Sequence, residues 1–376
     1  MHYEVKYNMM DYREQQELFE LKTLDKRAKK SMLSLRTHEE EKDTFRTEYQ
    51  RDIDRILYSE ALRRLRLKTQ TFISKSGDSL NRTRLSHTLE VNQIAKTIAK
   101  PNYLNCDLIE AIAFGHDLGQ TPFGHAGGRA LHKLLQESGK SFHHNAQSVW
   151  LVEQLNLDRC DIEGEAYCGM NLTHDTLEGI WKHTVFQPID NFGVEILDKL
   201  SPHSPGSLEA QVVQIADKFS YALHDLYDAD QNGIARYEEF EETVWHQFFD
   251  KPFDKNRWHY AFINDLIEQF GKSTHISFSD HFNNAYIEVQ NYIEKRILKS
   301  RQLLEYDEMT YELISTLYHY YHKHPEQLMK RAQITTKTMD RLGIERVLTD
   351  YIQWFGDVEA IVEYEKIKNL KSLKAV

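Results

Sequence analysis

Two adjacent polar residues, His116 and Asp117, stand at the end of a run, Leu108, Ile109, Ala111, Ile112, Ala113 and Phe114, whose pattern otherwise demands apolar side chains. Burying two titratable groups costs on the order of several kcal/mol unless they are paired or hold a metal. His87 lies on the preceding helical stretch, and Asp217 interrupts Val212, Val213, Ile215 and Ala216 on a later one. Two imidazoles and two carboxylates from three helices that can pack together offer a divalent cation four N/O ligands, with positions left for water and phosphate oxygens. Hydrogen-bonded His–Asp pairs in a core satisfy the same spacing, so the pattern alone leaves both readings open. Nineteen His among 376 residues raise the expectation of metal or acid/base chemistry without locating it.

Charge points to a second chemistry. The net value is −11, from 47 basic and 58 acidic residues, which disfavours general nucleic-acid binding or adhesion to an anionic membrane. Residues 51–100 run the other way. Eleven Lys/Arg there (Arg51, Arg55, Arg63, Arg64, Arg66, Lys68, Lys75, Arg82, Arg84, Lys96, Lys100) face five acids, which suits a confined anion site such as one for a phosphorylated small molecule. Asp228-Ala229-Asp230-Gln231-Asn232-Gly233, with Glu239 six residues on, also matches the spacing of an EF-hand loop. Ala235 at its eighth position, Arg236 at its ninth and the lack of a partner loop argue against calcium.

The elements that must position these residues are helical. Apolar residues at spacings of three and four predict helices over 49–71, 85–99, 107–118, 126–137, 146–154 and 208–228, the last capped by Ser207, with further amphipathic helices beyond Phe240. The 107–118 helix is apolar nearly all round and must be buried. Gly77-Asp78 breaks the chain at 74–81, 158–170 reads as a surface loop or hairpin, and Pro202, Pro205 and Gly206 mark 199–207 as a linker. Sixteen Gly and seven Pro are too few for a sandwich or barrel that turns every ten residues. The expectation is an all-α chain with an N-terminal arm at 1–48, a core at 49–230 and a helical region at 231–376 packed on it. No apolar run approaches the ~18 residues of a membrane span. Met1-His2-Tyr3-Glu4 lacks a secretory signal, and Cys106, Cys160 and Cys168 are too few for a disulfide framework, so a cytoplasmic location is expected.

His87, His116-Asp117 and Asp217 resemble the H…HD…D signature of the HD-domain phosphohydrolases, and the flanking strings are similar to those of the bacterial dGTP triphosphohydrolase family. These strings run from Tyr49 to Arg55, Leu62 to Phe72, Arg82 to His87, Gly115 to Gly119, Thr121 to Gly127, Phe142 to Ser148, Asn171 to Thr173 and Ser207 to Val212, with Asp350-Tyr351-Ile352 and Asp357 later. The resemblance implies an HD-type helical core and hydrolysis of a deoxynucleoside triphosphate to deoxynucleoside and intact triphosphate, with a preference for dGTP. It assigns His87, His116, Asp117 and Asp217 to a divalent cation (Mg, Mn or a similar transition metal) and proton handling to His125 and His144. For the substrate it implies Arg84 as a phosphate clamp, Lys218 as a phosphate contact, Arg63, Lys68 and Gln120 as lesser contacts, and Tyr221 and Asp225 against the deoxyribose and its 3′ hydroxyl. It also implies a homo-oligomer, with a second nucleotide or single-stranded DNA as candidate effectors. Two departures stand out. Where the family commonly places an acid three residues after the first proton-handling histidine, this chain has Gly128, and where it often has His, this chain has Gln120. An HD-type hydrolase acting on another nucleotide, or a nucleotide-binding regulatory subunit with weak activity, therefore stays open beside the triphosphohydrolase.

Overall fold

The computed structural model describes residues 11–71, 82–154, 159–182 and 206–374. In chain order the α-helices are α1 (Tyr12–Thr23), α2 (Glu48–Leu57), α3 (Glu60–Arg64), α4 (Arg84–Ala99), α5 (Cys106–Gly115), α6 (Gly124–Gln136), α7 (His144–Gln154), α8 (His174–Lys182) and α9 (Leu208–Gln231). They continue with α10 (Tyr237–Thr243), α11 (Trp258–Gln269), α12 (Asp280–Tyr292), α13 (Arg301–Lys323), α14 (Pro325–Ala332), α15 (Thr336–Leu342), α16 (Ile344–Trp354) and α17 (Asp357–Lys374). A π-helical turn, Ile293–Leu298, joins α12 to the start of α13. Among the described residues the regular strands are Arg159–Cys160 and Ala166–Tyr167, a small antiparallel hairpin within the segment read as loop or hairpin. The chain is all-α, as composition and periodicity imply.

Local chemistry explains where the helices begin and end. The single helix expected over 49–71 is cut in two, because Ser59 accepts the Leu62 N–H and starts α3 instead of continuing α2. Thr47 with Gln50 and Thr83 with Ser86 form capping boxes that set the first turns of α2 and α4. The α5 helix stops at Gly115, three residues short of the expected end, so His116 and Asp117 occupy a turn rather than the helix body. The 74–81 break and most of the 199–207 linker lie outside the described residues; Ser207 caps α9 as expected.

α5 is apolar over most of its surface because neighbours cover it, with Asp107 and Glu110 left at the partly exposed edge. Leu108, Ile109, Ile112 and Ala113 pack with Val91, Ala95 and Ile98 of α4 and with Val212, Val213 and Ala216 of α9. Phe114, with Leu118 just beyond the helix, joins Ile56, Leu65, Val149, Trp150 and Ile180. Each such side chain contributes about 1.5–3 kcal/mol on burial, which makes α5 the rigid post from which the His116-Asp117 turn projects. The C-terminal helices reach the same region. Leu131, Leu134 and Leu135 of α6 pack on Leu313, Ile314, Leu317, Leu348 and Ile352.

Among the described residues the basic excess at 51–100 does not form one anion site. Arg51 and Arg55 pair with Glu40, Arg64 with Glu359, Arg82 with Asp228, Arg84 with Asp117 and Lys96 with Glu110, so six of the eleven bases stand in ion pairs. The segment before α2 is tied down in the same way: Arg36 bonds Glu48 at 2.6 Å and Asp52 at 2.7 Å, all buried. The EF-hand-like string is drawn out along the end of α9. Asp228 faces Arg82 at 3.0 Å, Asp230 accepts the Tyr237 N–H at 3.3 Å, and Glu239 pairs with Arg296 at 2.6 Å, so these acids point to separate partners instead of one centre. Among the described residues no helix is long and apolar enough to cross a membrane.

Candidate active site

α4 and α9 lie side by side, and their facing residues meet the turn that follows α5. His87 Nε2 is 2.9 Å from Asp217 Oδ1 and 3.9 Å from Asp117 Oδ2. His116 Nε2 is 3.5 Å from Asp117 Oδ2 and 3.7 Å from Asp217 Oδ1. Candidate ligand atoms of His87, His116 and Asp117 all lie within 4.8 Å of one another, and all four residues are buried. The Ala113 carbonyl accepts from His116 Nδ1 at 2.6 Å, so the proton sits on Nδ1 and the Nε2 lone pair faces the carboxylates.

The turn is held by close backbone packing. A Cβ at Gly119 would lie 2.3 Å from both His144 O and Ser148 N, so only glycine lets the start of α7 come this near. Ser148 Oγ accepts from Gly119 N at 2.8 Å and lies 2.9 Å from His116 O and His144 O. This brings His144 to the cluster, its Nε2 4.0 Å from Asp117 Oδ1. Across the cavity, Phe123 and Gly124 take left-handed backbone conformations, with φ of 62° and 58°, at the start of α6. Glycine adopts this region freely, but Phe123 costs energy there and persists only when its surroundings fix it. Asp357 supplies part of that, accepting from Phe123 N and Thr69 N at 2.8 Å each.

Electrostatics suit a cation. Burial raises the Asp117 carboxyl, but His116, Arg84 and the histidines around it outweigh that and hold it well below the usual range. Asp217 is likewise lowered against its burial by the bond to His87 and by the neighbouring His116. Burial pushes His87 down to about 4, against the pull of Asp217. Ionised carboxylates and neutral imidazoles are the protonation states in which such groups bind metals.

The cluster opens into a cavity of about 890 Å³. Asp117, Asp217, His125, His144, Lys218, Tyr221 and Asp225 line it, so these sequence-predicted residues are brought together. Tyr221 stacks on His125 with ring centroids 5.1 Å apart. Burial lifts Asp225 to about 7, and its Oδ1 has no hydrogen-bond partner. Lys218 is half-buried and lowered by that burial. His125 is accessible from the cavity, yet the protein around it and the charge of Arg84 push its pKa below that of a free imidazole. Gln120 donates to Asp117 at 3.1 Å and lines a second cavity of about 370 Å³ with His125, Gly128 and His144.

Three expected contacts fall elsewhere. Arg84 lies below the cavity wall, fully buried, donating to Asp117 at 2.9 Å, to the Tyr221 hydroxyl and to the Gln70 carbonyl at 3.2 Å. Its guanidinium fixes two site residues instead of reaching into the space. Lys68 is buried too, its Nζ held by Gln120 O at 2.5 Å and Gln353 O at 2.6 Å, and burial lowers it to about 7. Arg63 is on the exposed side of α3 and donates to Tyr58 O at 2.8 Å. None of the three lines either cavity.

Sequence reasoning left several wall residues without a role, Gln70 among them. Gln70 is buried, lines the cavity, and has neither carboxamide atom hydrogen-bonded. Pairing of its segment with residues 82–84, through Gln70 N to Arg82 O and Arg84 N to Lys68 O, sets its place. Its signal was a polar residue inside one of the family-like strings. Tyr286, Gln290 and Tyr306 of the far wall come from the C-terminal helices, where aromatic richness in the sequence reads as core.

Residues 84–222 match the HD domain, and residues 276–366 match the phosphohydrolase-associated domain. A relative from Caldanaerobacter subterraneus subsp. tengcongensis is 36% identical over 363 residues, covering 95% of this chain and 96% of the relative. The chain belongs to the deoxyguanosinetriphosphate triphosphohydrolase-like family of HD-domain proteins. Two further members, from Geobacter sulfurreducens and Rickettsia bellii, are 31% and 32% identical, covering 88% and 89% of this chain and 91% and 95% of the relatives. All three bear the same description, a deoxyguanosinetriphosphate triphosphohydrolase-like protein. The described core of the family's HD domain contains the whole His87, His116, Asp117 and Asp217 cluster.

Proposed function

We propose that the protein is a divalent-cation-dependent dNTP triphosphohydrolase, preferring dGTP and releasing deoxynucleoside and triphosphate. The observation that carries this reading is the direct opening of a two-His, two-Asp cluster onto a cavity whose wall presents Tyr221, Asp225 and Gln70. The donor set, two imidazoles and two ionised carboxylates, fits a borderline or hard divalent ion, held by His87, His116, Asp117 and Asp217. When bound, that ion supplies positive charge against the phosphate and lowers the pKa of water.

The chain's own residues do the rest. Lys218 meets phosphate oxygens from the wall beside Asp217. Arg84 holds the Asp117 carboxylate and the Tyr221 ring in place from below. Tyr221 packs on the sugar at C2′, leaving no room for a 2′ hydroxyl. Asp225 Oδ1 accepts the 3′ hydroxyl, with the Gln70 carboxamide beside it, so each buried group gains the partner it lacks. His125 or His144 delivers the proton that the departing 5′ oxygen needs. The cavity beyond, walled by Tyr286, Gln290 and Tyr306, takes the base.

Incubation with each of the four dNTPs and Mg²⁺ or Mn²⁺, followed by product chromatography, tests the reading. Deoxynucleoside and triphosphate are expected in equal amounts. Release of phosphate or pyrophosphate moves the protein to another HD-type reaction, and binding without turnover makes it a regulatory subunit.

A further inference from the structure

His87 is held at both ring nitrogens by α9. Its Nε2 meets Asp217, while Nδ1 lies 3.3 Å from Ser220 Oγ. Ser220 and His224 are both buried. Ser220 Oγ is 3.4 Å from His224 Nε2, and that nitrogen bonds the Glu90 carboxylate, three residues beyond His87 on α4. The His87 and His224 rings meet edge to face with centroids 5.4 Å apart. At the surface end, Arg82 approaches Glu90 at 3.6 Å and holds Asp228 at 3.0 Å. Asp217, Ser220, His224 and Asp228 follow spacings of three and four on one stripe of α9, and His87 and Glu90 answer from α4, with Arg82 just ahead of that helix.

Ser220, His224 and Glu90 line neither cavity, so they touch no substrate. Their effect is on the His87 ring. A carboxylate can only accept, so His224 donates its Nε2–H to Glu90. Ser220 Oγ stands against both His224 Nε2 and His87 Nδ1, and the His224 ring packs edge to face on His87. The ring that would turn Nε2 toward a cation is thereby held in one orientation.

We infer that Glu90, His224 and Ser220 form a positioning string that fixes the orientation of the His87 ring and thereby sets the cluster's affinity for its divalent cation. The inference rests on the reading of His87 as a ligand. Its test is calorimetric titration of metal-free wild type and of Glu90→Gln, Ser220→Ala, His224→Phe and His224→Gln with Co²⁺ and Mn²⁺. Visible spectra of the Co²⁺ forms and melting of the metal-free proteins are recorded alongside. Glu90→Gln, Ser220→Ala and His224→Phe are expected to weaken the cation by about 10–100-fold and to shift the Co²⁺ bands. His224→Gln, which keeps an N–H for Glu90, is expected to restore most of the affinity lost in His224→Phe. Glu90 is half-exposed, so Glu90→Gln folds, and its metal-free melting point should match wild type. If wild type takes up no cation, the ligand reading fails. If wild type binds and the three weakened variants bind as tightly, or lose only melting temperature, the string is structural and the inference is overturned while the ligand reading stands.

Discussion

The cluster at His87, His116, Asp117 and Asp217 and the histidine pair His125 and His144 share one cavity but are built on opposite terms. In the cluster, partners fix every member: Ala113 O sets His116, Arg84 and Gln120 hold Asp117, Ser220 meets His87, and His87 meets Asp217. His125 has ring neighbours only, stacking on Tyr221 and lying edge-on to His144 at 6.0 Å, and among the described residues no carboxylate hydrogen-bonds it. On the wall beside it stands Gly128, where an added Cβ would find its nearest atom, Phe142 Cε1, at 3.7 Å. A buried polar group left unpaired is expensive, so burial specifies the cluster tightly. The histidine at the cavity face is free of that demand, and only the reaction could require a partner for it.

The largest break in this contrast should come from the tightly specified side. Asp117→Ala is expected to abolish both metal retention and turnover while leaving a folded protein, because it removes a ligand and the partner of Arg84. Elemental analysis showing as much metal in the variant as in wild type would remove Asp117 from the site. The loosely specified side should respond unevenly. His144→Ala is expected to lower kcat by ~10²–10⁴, the usual loss of a general acid, and His125→Ala by much less. Gly128→Glu, for which the space at Cβ exists, sharpens the point: a gain in kcat would show that His125 lacks only an acid to hold its proton. Equal losses in the two His→Ala variants would end the division of labour.

A smaller effect separates the sugar wall from both. GTP should react with kcat/KM roughly 10²-fold below dGTP, the scale on which a packed wall rejects an added hydroxyl. 2′,3′-Dideoxy-GTP should also be poor, since Asp225 and Gln70 then stay unpaired. Equal kcat/KM for GTP and dGTP would take Tyr221 out of that role. The smallest effect concerns stability of the metal-free protein. His87 titrates near 4 in the fold against an ordinary 6.5, so the unfolded chain takes up the proton first as pH falls. Stability from this group is therefore full above about 6.5 and declines toward 4, with Asp117 and Asp217 adding their losses below the ordinary carboxylate range. Melting temperatures of the metal-free protein measured between pH 7 and 4.5 should fall; a flat profile would mean that His87 is not held neutral.

Much of this was legible in the sequence for a physical reason. A polar pair ending the apolar run 108–114 could be tolerated only with partners, and periodicity placed the helices that bring them. The helix ends were less legible, because Ser59 and Gly115 act through hydrogen bonds that a hydrophobic pattern does not register. Arg84 and Lys68 were misplaced for a related reason. Spacing puts a base on a helix face or in a family string, but only packing shows that Asp117, Tyr221 and two backbone carbonyls have already claimed their charges. Gln70 escaped a role because a lone carboxamide has no period and no charge, and its two unpaired atoms are visible only once burial is known.

Asp357 carries a consequence for how the protein matures. Its carboxylate reaches back 288 residues to Thr69 N and 234 residues to Phe123 N, gripping both the segment that carries Gln70 and the left-handed turn that presents His125. Contacts so distant along the chain form late, since the intervening loop must first be closed. During translation the cation cluster, complete once Asp217 has emerged, can assemble well before the wall opposite it. A nascent chain that has not yet exposed residue 357 thus holds the four cluster residues without the grip of Asp357 on the Gln70 segment and on the turn before His125.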